Sequence, residues 1–267
     1  MRTAFGIITE DMTKRHPICS YMLKSPHVLI AGTTGSGKSV MMNSMIYTAL
    51  REPVEDFYFI DLKRVELKAY KNLERCRWFC TEPEEVIPML NMVVNEMERR
   101  YKKMKGKLYE GGPVYVFIDE LADLVSHKDA KDILERLVKI GRLGRAAKVH
   151  LVCATQDPSR KTLCSALMQN FTCCLALRCR SAIESRQIIG TSGAEFLPEY
   201  GCGLLWDAKG TRQIDVPMTP EEDIEKMVFA LSSRTFPLTM LLGLFSKNVR
   251  TVEKNYQNRI TQGLAEW

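Results

Sequence analysis

Short apolar runs recur along the chain, and segments with apolar residues at helical spacing lie between most of them. Five of these runs have the length of buried strands, at residues 28–31, 57–60, 114–118, 149–154 and 172–177. Helices are predicted at 39–50, 84–105, 129–147 and 182–189. Strands that alternate with helices are typical of a mostly parallel sheet with helices on both faces. The pattern therefore predicts an α/β fold.

The two ends of this pattern are less regular. Residues 2–9 and 18–23 are predicted as short strands around a polar turn at 10–15, which makes 1–25 a small N-terminal strand appendage. Residues 203–206 and 213–216 are predicted to form a hairpin, and 220–231 a helix with Thr219 as its N-cap. The core domain is thus expected at 26–231. Residues 232–267 form a C-terminal tail whose polar second half fits a helix or a linker.

The loop between the first predicted strand and helix carries a chemical motif. Residues 32–39 fit G-x-x-x-x-G-K-[ST], the phosphate-binding loop. Glycines let the backbone wrap closely around an anion, and the N–H groups at the helix start favour phosphate. A chance glycine-rich turn is the alternative, which the strand–loop–helix setting disfavours. The expected contacts to ATP are Gly32, Thr33, Thr34, Gly35, Ser36, Gly37, Lys38, Ser39 and Val40.

Two residues of this loop have predicted individual roles. Lys38 is expected to reach the β- and γ-phosphates of the nucleotide. The Ser39 hydroxyl is expected to ligate Mg²⁺. The sequence therefore predicts a site for ATP with Mg²⁺ as its companion cation.

Two consecutive acids, Asp119 and Glu120, directly follow the third apolar run. Downstream of a phosphate-binding loop this is the Walker B arrangement. Asp119 is then expected to hold Mg²⁺ directly or through water, and Glu120 to act as the general base that polarises the attacking water. An ordinary strand followed by an acidic N-cap is the alternative, and the loop upstream favours the catalytic interpretation.

A polar pair, Thr155-Gln156, follows the fourth apolar run. A glutamine at this place can sense the γ-phosphate or orient the attacking water, so Gln156 is a candidate catalytic residue. A turn-forming polar residue before Asp157-Pro158 is the alternative for Gln156.

Composition narrows the picture only slightly. The 267 residues are 45% hydrophobic, which fits one large α/β domain or a domain with appendages. The net charge of +6 is compatible with a polyanionic partner without requiring one. Nine scattered cysteines lack zinc spacing, so buried thiols in a reducing cytoplasm are predicted. No apolar stretch is long enough to cross a bilayer, so we expect a soluble piece in the cytoplasm, alone or in a membrane-associated machine.

Several segments together resemble one family, the FtsK/SpoIIIE-type DNA translocases with the related coupling ATPases of conjugative elements. The similar segments are residues 26–39, 60–67, 97–101 (Met-Glu-Arg-Arg-Tyr), 118–124, 144–159 and 185–195. The similarity as a whole covers roughly residues 2–231. The resemblance implies a RecA-like P-loop NTPase core as the motor domain, a homo-hexameric ring, and double-stranded DNA threaded through its pore.

The resemblance also implies that an arginine of one subunit reaches its neighbour's nucleotide. Arg142 and Arg145 are the candidates, with surface helix charges as the equal alternative. Arg178, Arg180 and Arg186 are weaker candidates for contacts to the nucleotide or to the pore. The chain has no room for the winged-helix domain that orients full translocases on DNA. Loading of this chain onto DNA at a specific DNA sequence is therefore not expected. A membrane-anchored or transfer-channel protein is a possible partner.

The predicted function is an ATP-driven double-stranded DNA motor, used in chromosome segregation or in the DNA transfer of a mobile element. The absence of a winged-helix domain somewhat favours DNA transfer. An ATPase of the same core that drives protein secretion is the alternative. A degenerate module that binds nucleotide without hydrolysing it is disfavoured by the intact Lys38, Asp119 and Glu120.

Overall fold

The computed structural model describes residues 17–232, and these form one eight-stranded sheet flanked by helices. The strands are β1 His27–Ala31, β2 Asp56–Ile60, β3 Cys76–Cys80, β4 Val114–Ile118, β5 Val149–Thr155, β6 Cys173–Ala176, β7 Cys202–Asp207 and β8 Gly210–Asp215. Their order is β3-β2-β4-β5-β1-β6-β7-β8. The first six strands in this order are parallel, and β7 and β8 continue the sheet as an antiparallel hairpin. The predicted α/β fold with a mostly parallel sheet is confirmed.

Helices cover both faces of the sheet. They are α1 Pro17–Leu23, α2 Lys38–Ala49, α3 Pro83–Lys103, α4 Leu121–Val125, α5 Ala130–Ala147, α6 Ser165–Met168, α7 Ala182–Ile189 and α8 Glu221–Ser232. Helices α3 to α7 pack on one face, whereas α1, α2 and α8 pack on the other. Neighbouring strand residues therefore enter opposite cores: Leu29 and Ala31 of β1 join the first, Val28 and Ile30 the second. This double burial explains why the central strands are continuous apolar runs.

The structure corrects the prediction for the start of the described region. Residues 18–23 were expected to form a strand and instead belong to helix α1. Cys19, Met22 and Leu23 lie at helical spacing and are buried, so the segment gains more from covering α2 than from extending the sheet. The strand expected at 2–9 lies outside the described residues, as does the tail beyond Ser232.

Two further differences concern the edges of the sheet. Strand β3 has no counterpart in the prediction, because this edge strand pairs only with β2 and leaves Arg77 exposed. The hairpin expected at 203–206 and 213–216 is confirmed as β7 and β8, and the helix expected at 220–231 as α8. Within residues 17–232, no helix is both long and apolar enough to span a membrane.

Candidate nucleotide-binding site

The predicted site residues meet at the carboxyl edge of the sheet, where the neighbouring parallel strands β4, β5 and β1 all end. The phosphate-binding loop follows β1, the acidic pair follows β4, and Gln156 follows β5. Because parallel strands share one carboxyl edge, distant sequence segments come together there. The resulting cleft is lined by Thr34, Gly35, Gly37, Lys38, Ser39, Val40, Lys63, Glu66, Asp119 and Gln156.

The glycines of the phosphate-binding loop are required for two different reasons. Gly35 and Gly37 adopt φ angles of 78° and 96°, a left-handed conformation that side chains disfavour. Gly32 is required by packing, since a Cβ there would lie 2.9 Å from the Cβ of Leu177. No side chain among the described residues caps the start of α2, and its first turn holds no acid. The free N–H groups and the helix dipole therefore favour an anion at this point.

The Lys38 side chain lies folded back on its own loop. Its Nζ donates to the carbonyl oxygens of Gly32 at 3.0 Å and Thr33 at 2.7 Å. Burial lowers the pKa of Lys38 to about 8, and the nearby Glu120 and Asp119 act in the opposite direction. The ammonium is still the main form at pH 7. A bound phosphate would supply the negative charge that this partly desolvated cation lacks.

The Glu120 carboxylate accepts four hydrogen bonds from described residues. Its Oε1 accepts from Ala122 N at 3.2 Å, Thr155 Oγ1 at 2.7 Å and Gln156 N at 3.1 Å, and its Oε2 accepts from Gln156 N at 3.1 Å. Lys63 Nζ lies 3.7 Å from Oε2. The bond from Ala122 N makes Glu120 the N-cap of α4. The acidic N-cap considered above as the alternative to a catalytic role is therefore present as well. In this state both oxygens are engaged.

Negative charge is concentrated beside Glu120. Burial raises the pKa of Asp119 to about 7, and the neighbouring acids Asp61 and Glu66 add to the rise. Asp61 follows β2 and is fully buried; its Oδ2 accepts from Leu67 N at 2.9 Å, whereas its Oδ1 has no hydrogen-bond partner within residues 17–232. A buried carboxylate oxygen without a partner next to a second acid fits a divalent cation or its water shell.

The loop is tied to the strands on both of its sides. Thr34 Oγ1 donates to Gln156 Oε1 at 2.6 Å, which joins the loop to the end of β5. On the β6 side, Thr33 donates from its N–H and its hydroxyl to the Arg178 carbonyl oxygen, at 2.9 and 3.2 Å. The polar residue expected to report on the γ-phosphate is thus in direct contact with the phosphate loop.

The structure does not bring Arg142 and Arg145 to this site. Helix α5 runs back across the sheet and ends just before the first residue of β5, at the amino edge. The seven residues of β5 span roughly 20 Å, and the chain's own loop lies at the far end of that strand. Both arginines are exposed, and neither side chain has a hydrogen bond or ion pair with another described residue. Arg178, Arg180 and Arg186 are exposed as well.

The residues predicted for this site do not include Asp61, Lys63 or Thr155, which the structure places there. Asp61 carried a usable signal, because an acid directly after a buried strand lies at the same sheet edge as Asp119. Thr155 carried no sequence signal. Its hydroxyl reaches Glu120 because β4 and β5 lie side by side in the sheet.

Comparison with known proteins agrees with these motifs. The model of the FtsK/SpoIIIE family matches residues 4–112. The DNA translocase FtsK of Rickettsia prowazekii (strain Madrid E) is 31% identical over 284 aligned residues, covering 87% of this chain and 38% of the relative. That of Helicobacter pylori (strain ATCC 700392 / 26695) is 34% identical over 235, covering 80% and 27%. The chain therefore spans well under half the length of these relatives.

Solved structures agree on the fold. The pCW3 conjugation coupling protein TcpA, in a monomer form with ATPγS, superposes with a TM-score of 0.68 at 24% identity, over 78% of this chain and 66% of that one. The cytoplasmic domain of the type VII secretion ATPase EccC from Thermomonospora curvata gives 0.62 at 25% identity, over 80% and 28%. The predicted P-loop ATPase fold is confirmed. By its motifs, its relatives and its fold, the chain belongs to the FtsK/SpoIIIE family.

Proposed function

We propose that this chain is the motor part of an ATP-driven double-stranded DNA translocase, used in chromosome segregation or in the DNA transfer of a mobile element. One observation carries the proposal: an intact loop, Asp119 and Glu120 meet at one sheet edge in a chain 31% identical to a DNA translocase over 87% of its length. The coupling of hydrolysis to DNA movement goes beyond the fold and is the part to be tested.

In this proposal the triphosphate lies along the uncapped start of α2, with Lys38 turning from its loop carbonyls towards the β- and γ-phosphates. Ser39 and Asp119 would hold Mg²⁺, whose chemistry is to neutralise charge on the phosphates. Asp61, with its free buried oxygen, would accept a hydrogen bond from water beside Asp119. The acids present therefore fit the cation without forming a complete protein cage.

Glu120 would be the general base. In the described state its oxygens are engaged by Thr155, Gln156 and Ala122, so it must exchange at least one of these bonds for the attacking water. Gln156 is bonded to Thr34 of the phosphate loop, so a nucleotide that displaces Thr34 also frees the Gln156 amide. Loading of the loop and release of the Gln156 side chain are thereby linked, while the Gln156 backbone N–H keeps its bond to Glu120.

Assembly would complete the site. Arg142 and Arg145 lie at the amino edge of the sheet, roughly the length of β5 away from their own loop. Exposed arginines so placed can stabilise transition-state charge only at a neighbour's nucleotide, which supports a homo-hexameric ring. We propose that the ring acts in the cytoplasm on duplex DNA, through salt-sensitive contacts to phosphates rather than to bases. A membrane-anchored or transfer-channel protein would be its partner.

The test is ATP turnover with and without duplex DNA, at several salt concentrations. We expect duplex DNA to stimulate hydrolysis, with stimulation that falls as salt rises. Heparin serves as the control for simple polyanion binding, and Lys38→Ala as the control for contaminating ATPases. Turnover that ignores DNA would contradict the proposal.

A protein-secretion ATPase is the second candidate, supported by the 25% identity to the secretion ATPase EccC. In that case an extended polypeptide substrate, and not duplex DNA, would stimulate hydrolysis. The same assay therefore separates the two functions.

A further inference from the structure

The C-terminal end of α5 is held by groups from outside the helix. A helix leaves its last carbonyl oxygens without partners of its own. Here Tyr101 Oη donates to Leu143 O at 2.7 Å, Tyr109 N to Ala146 O at 2.9 Å, and Arg100 Nη1 to Ala147 O at 2.9 Å. The α5 turn that carries Arg145 is thus fixed by the C-terminal end of α3 and the loop that follows it.

Arg100 is the centre of this arrangement. Its side chain is fully buried, a position that guanidinium groups occupy only when paired. Besides Ala147, its nitrogens bond Glu55 Oε2 at 2.6 Å, Glu96 Oε1 at 2.8 Å and Gly112 O at 2.9 Å. Its guanidinium also lies 4.5 Å from the ring centre of Tyr109. Arg100 therefore joins α3, the approach to β2, the 104–113 loop and the end of α5 at one point.

The inner side of the same helix end is fixed by close packing. A Cβ at Gly144 would lie 2.2 Å from the Val149 carbonyl oxygen, and one at Gly141 would lie 2.9 Å from Asn170 Cβ. Helix α5 therefore lies directly against the sheet and the segment after α6. Arg142 and Leu143, between these two glycines, are exposed, and so is Arg145 directly after Gly144.

We propose that Arg100, assisted by Tyr101, is a positioning residue for the arginine that acts on a neighbouring subunit's ATP. This inference rests on the proposed function, because it requires that Arg142 or Arg145 act across a subunit boundary. A helix end that was free to fray would spread those side chains over many positions, and small misplacements of a catalytic group are costly in rate. The contacts of Arg100, Tyr101 and Tyr109 with the last turn of α5 restrict that freedom before subunits assemble.

The first test is a pair of conservative variants. Arg100→Lys keeps the charge but replaces a planar fork by a single nitrogen that cannot make these contacts together. Tyr101→Phe removes only the hydroxyl that bonds Leu143 O. We expect ATP affinity to stay at the parent value, because the phosphate loop lies at the opposite sheet edge. Turnover should fall about tenfold to a hundredfold for Arg100→Lys and less for Tyr101→Phe.

Each variant has a matched control. Arg99→Lys changes the neighbouring arginine, which is half exposed and whose two hydrogen bonds to Glu96 do not reach α5. Tyr115→Phe removes another hydroxyl that bonds a backbone carbonyl, that of Leu23, on the face of the sheet opposite to α5. Both controls should hydrolyse ATP at the parent rate.

Mixing separates positioning from a general folding defect. An Arg100→Lys chain keeps its loop and Glu120, so a Lys38→Ala neighbour with an intact α5 should restore turnover at their shared site. An Arg145→Ala,Arg142→Ala neighbour offers no working arginine and should restore nothing. Recovery with the first partner and not with the second supports the inference. No recovery with either partner would show that Arg100 only stabilises the fold, and would overturn it.

Failure of the proposed function, of the cross-subunit arginine and of the Arg100 inference would each give a different result. If the parent shows no DNA-stimulated turnover, the proposed function fails and the inference with it. If Arg145→Ala,Arg142→Ala is as active as the parent, the cross-subunit arginine is wrong and Arg100 has nothing to position. If that variant is inactive while Arg100→Lys and Tyr101→Phe turn over normally, only the inference is overturned.

Discussion

Replacing Glu120 by glutamine isolates the chemical step from binding and folding. The amide can keep its oxygen at the Oε1 position, with all three bonds to Ala122, Thr155 and Gln156. At the Oε2 position an NH2 group would face the Gln156 N–H, which still bonds the other oxygen, so one contact is lost and two donors meet, at a cost of about 1–3 kcal/mol. The Lys63 contact adds little, because that side chain is 44% exposed. The variant should therefore fold and bind ATP.

Hydrolysis should respond very differently. An amide cannot take a proton from water, and loss of a positioned general base lowers turnover about 10²- to 10⁴-fold. That range corresponds to roughly 3–5 kcal/mol in the activation barrier. ATP affinity and the midpoint of thermal unfolding would be measured beside turnover. Asp123→Asn is the matched control, because Asp123 contacts the same Lys63 at 3.6 Å, whereas the bonds from Thr155 and Gln156 go to Glu120.

One result would refute this reasoning. If Glu120→Gln hydrolyses ATP at close to the parent rate, Glu120 is not the base, and Asp61 becomes the next candidate at the same sheet edge. An Asp123→Asn variant as slow as Glu120→Gln would point instead to the Lys63 contacts as the important feature.

Three further outcomes are expected. Lys38→Ala should weaken ATP binding by about 2–3 kcal/mol, measured by titration, since a charged hydrogen-bond donor to the phosphates is lost; parent-like affinity would contradict the role. The raised pKa of Asp119, about 7, means that its ionisation destabilises the nucleotide-free fold as pH rises. Asp119→Asn should therefore raise the unfolding midpoint relative to the parent more at pH 8 than at pH 5, and an equal effect at both would contradict this. Gly144→Ala should cost about 1–3 kcal/mol in denaturant unfolding, because its Cβ meets the Val149 carbonyl; an unchanged midpoint would contradict that packing.

The central strands could be predicted from sequence because both of their faces are buried. Each of β1, β2, β4 and β5 sends alternate residues into two cores, which leaves an uninterrupted apolar run. Where burial of the two faces is incomplete, the continuous apolar run is interrupted. Strand β3 lies at the sheet edge with mixed exposure, and α1 has an apolar pattern too short to distinguish a strand from a helix.

The site was predictable where its residues are adjacent in sequence. The loop and the acidic pair follow strands directly, and topology alone brings them to one edge. The hydrogen bond from Thr155 to Glu120 depends on two strands lying side by side, so no local sequence pattern predicts it. Arg100 bonds backbone carbonyls of residues 12 to 48 positions away in the sequence. In the sequence it belongs to a run of basic residues at a helix end, which is the pattern of a solvent-exposed helix end.

Movement of duplex DNA by ATP hydrolysis is tested most directly by the release of a labelled third strand bound at one end of a duplex. With parent protein and ATP we expect release, at a rate that falls with added salt. With Glu120→Gln, or without ATP, the third strand should remain bound. A parent protein that hydrolyses ATP at the same rate with and without the duplex, and leaves the third strand in place, would contradict a DNA translocase.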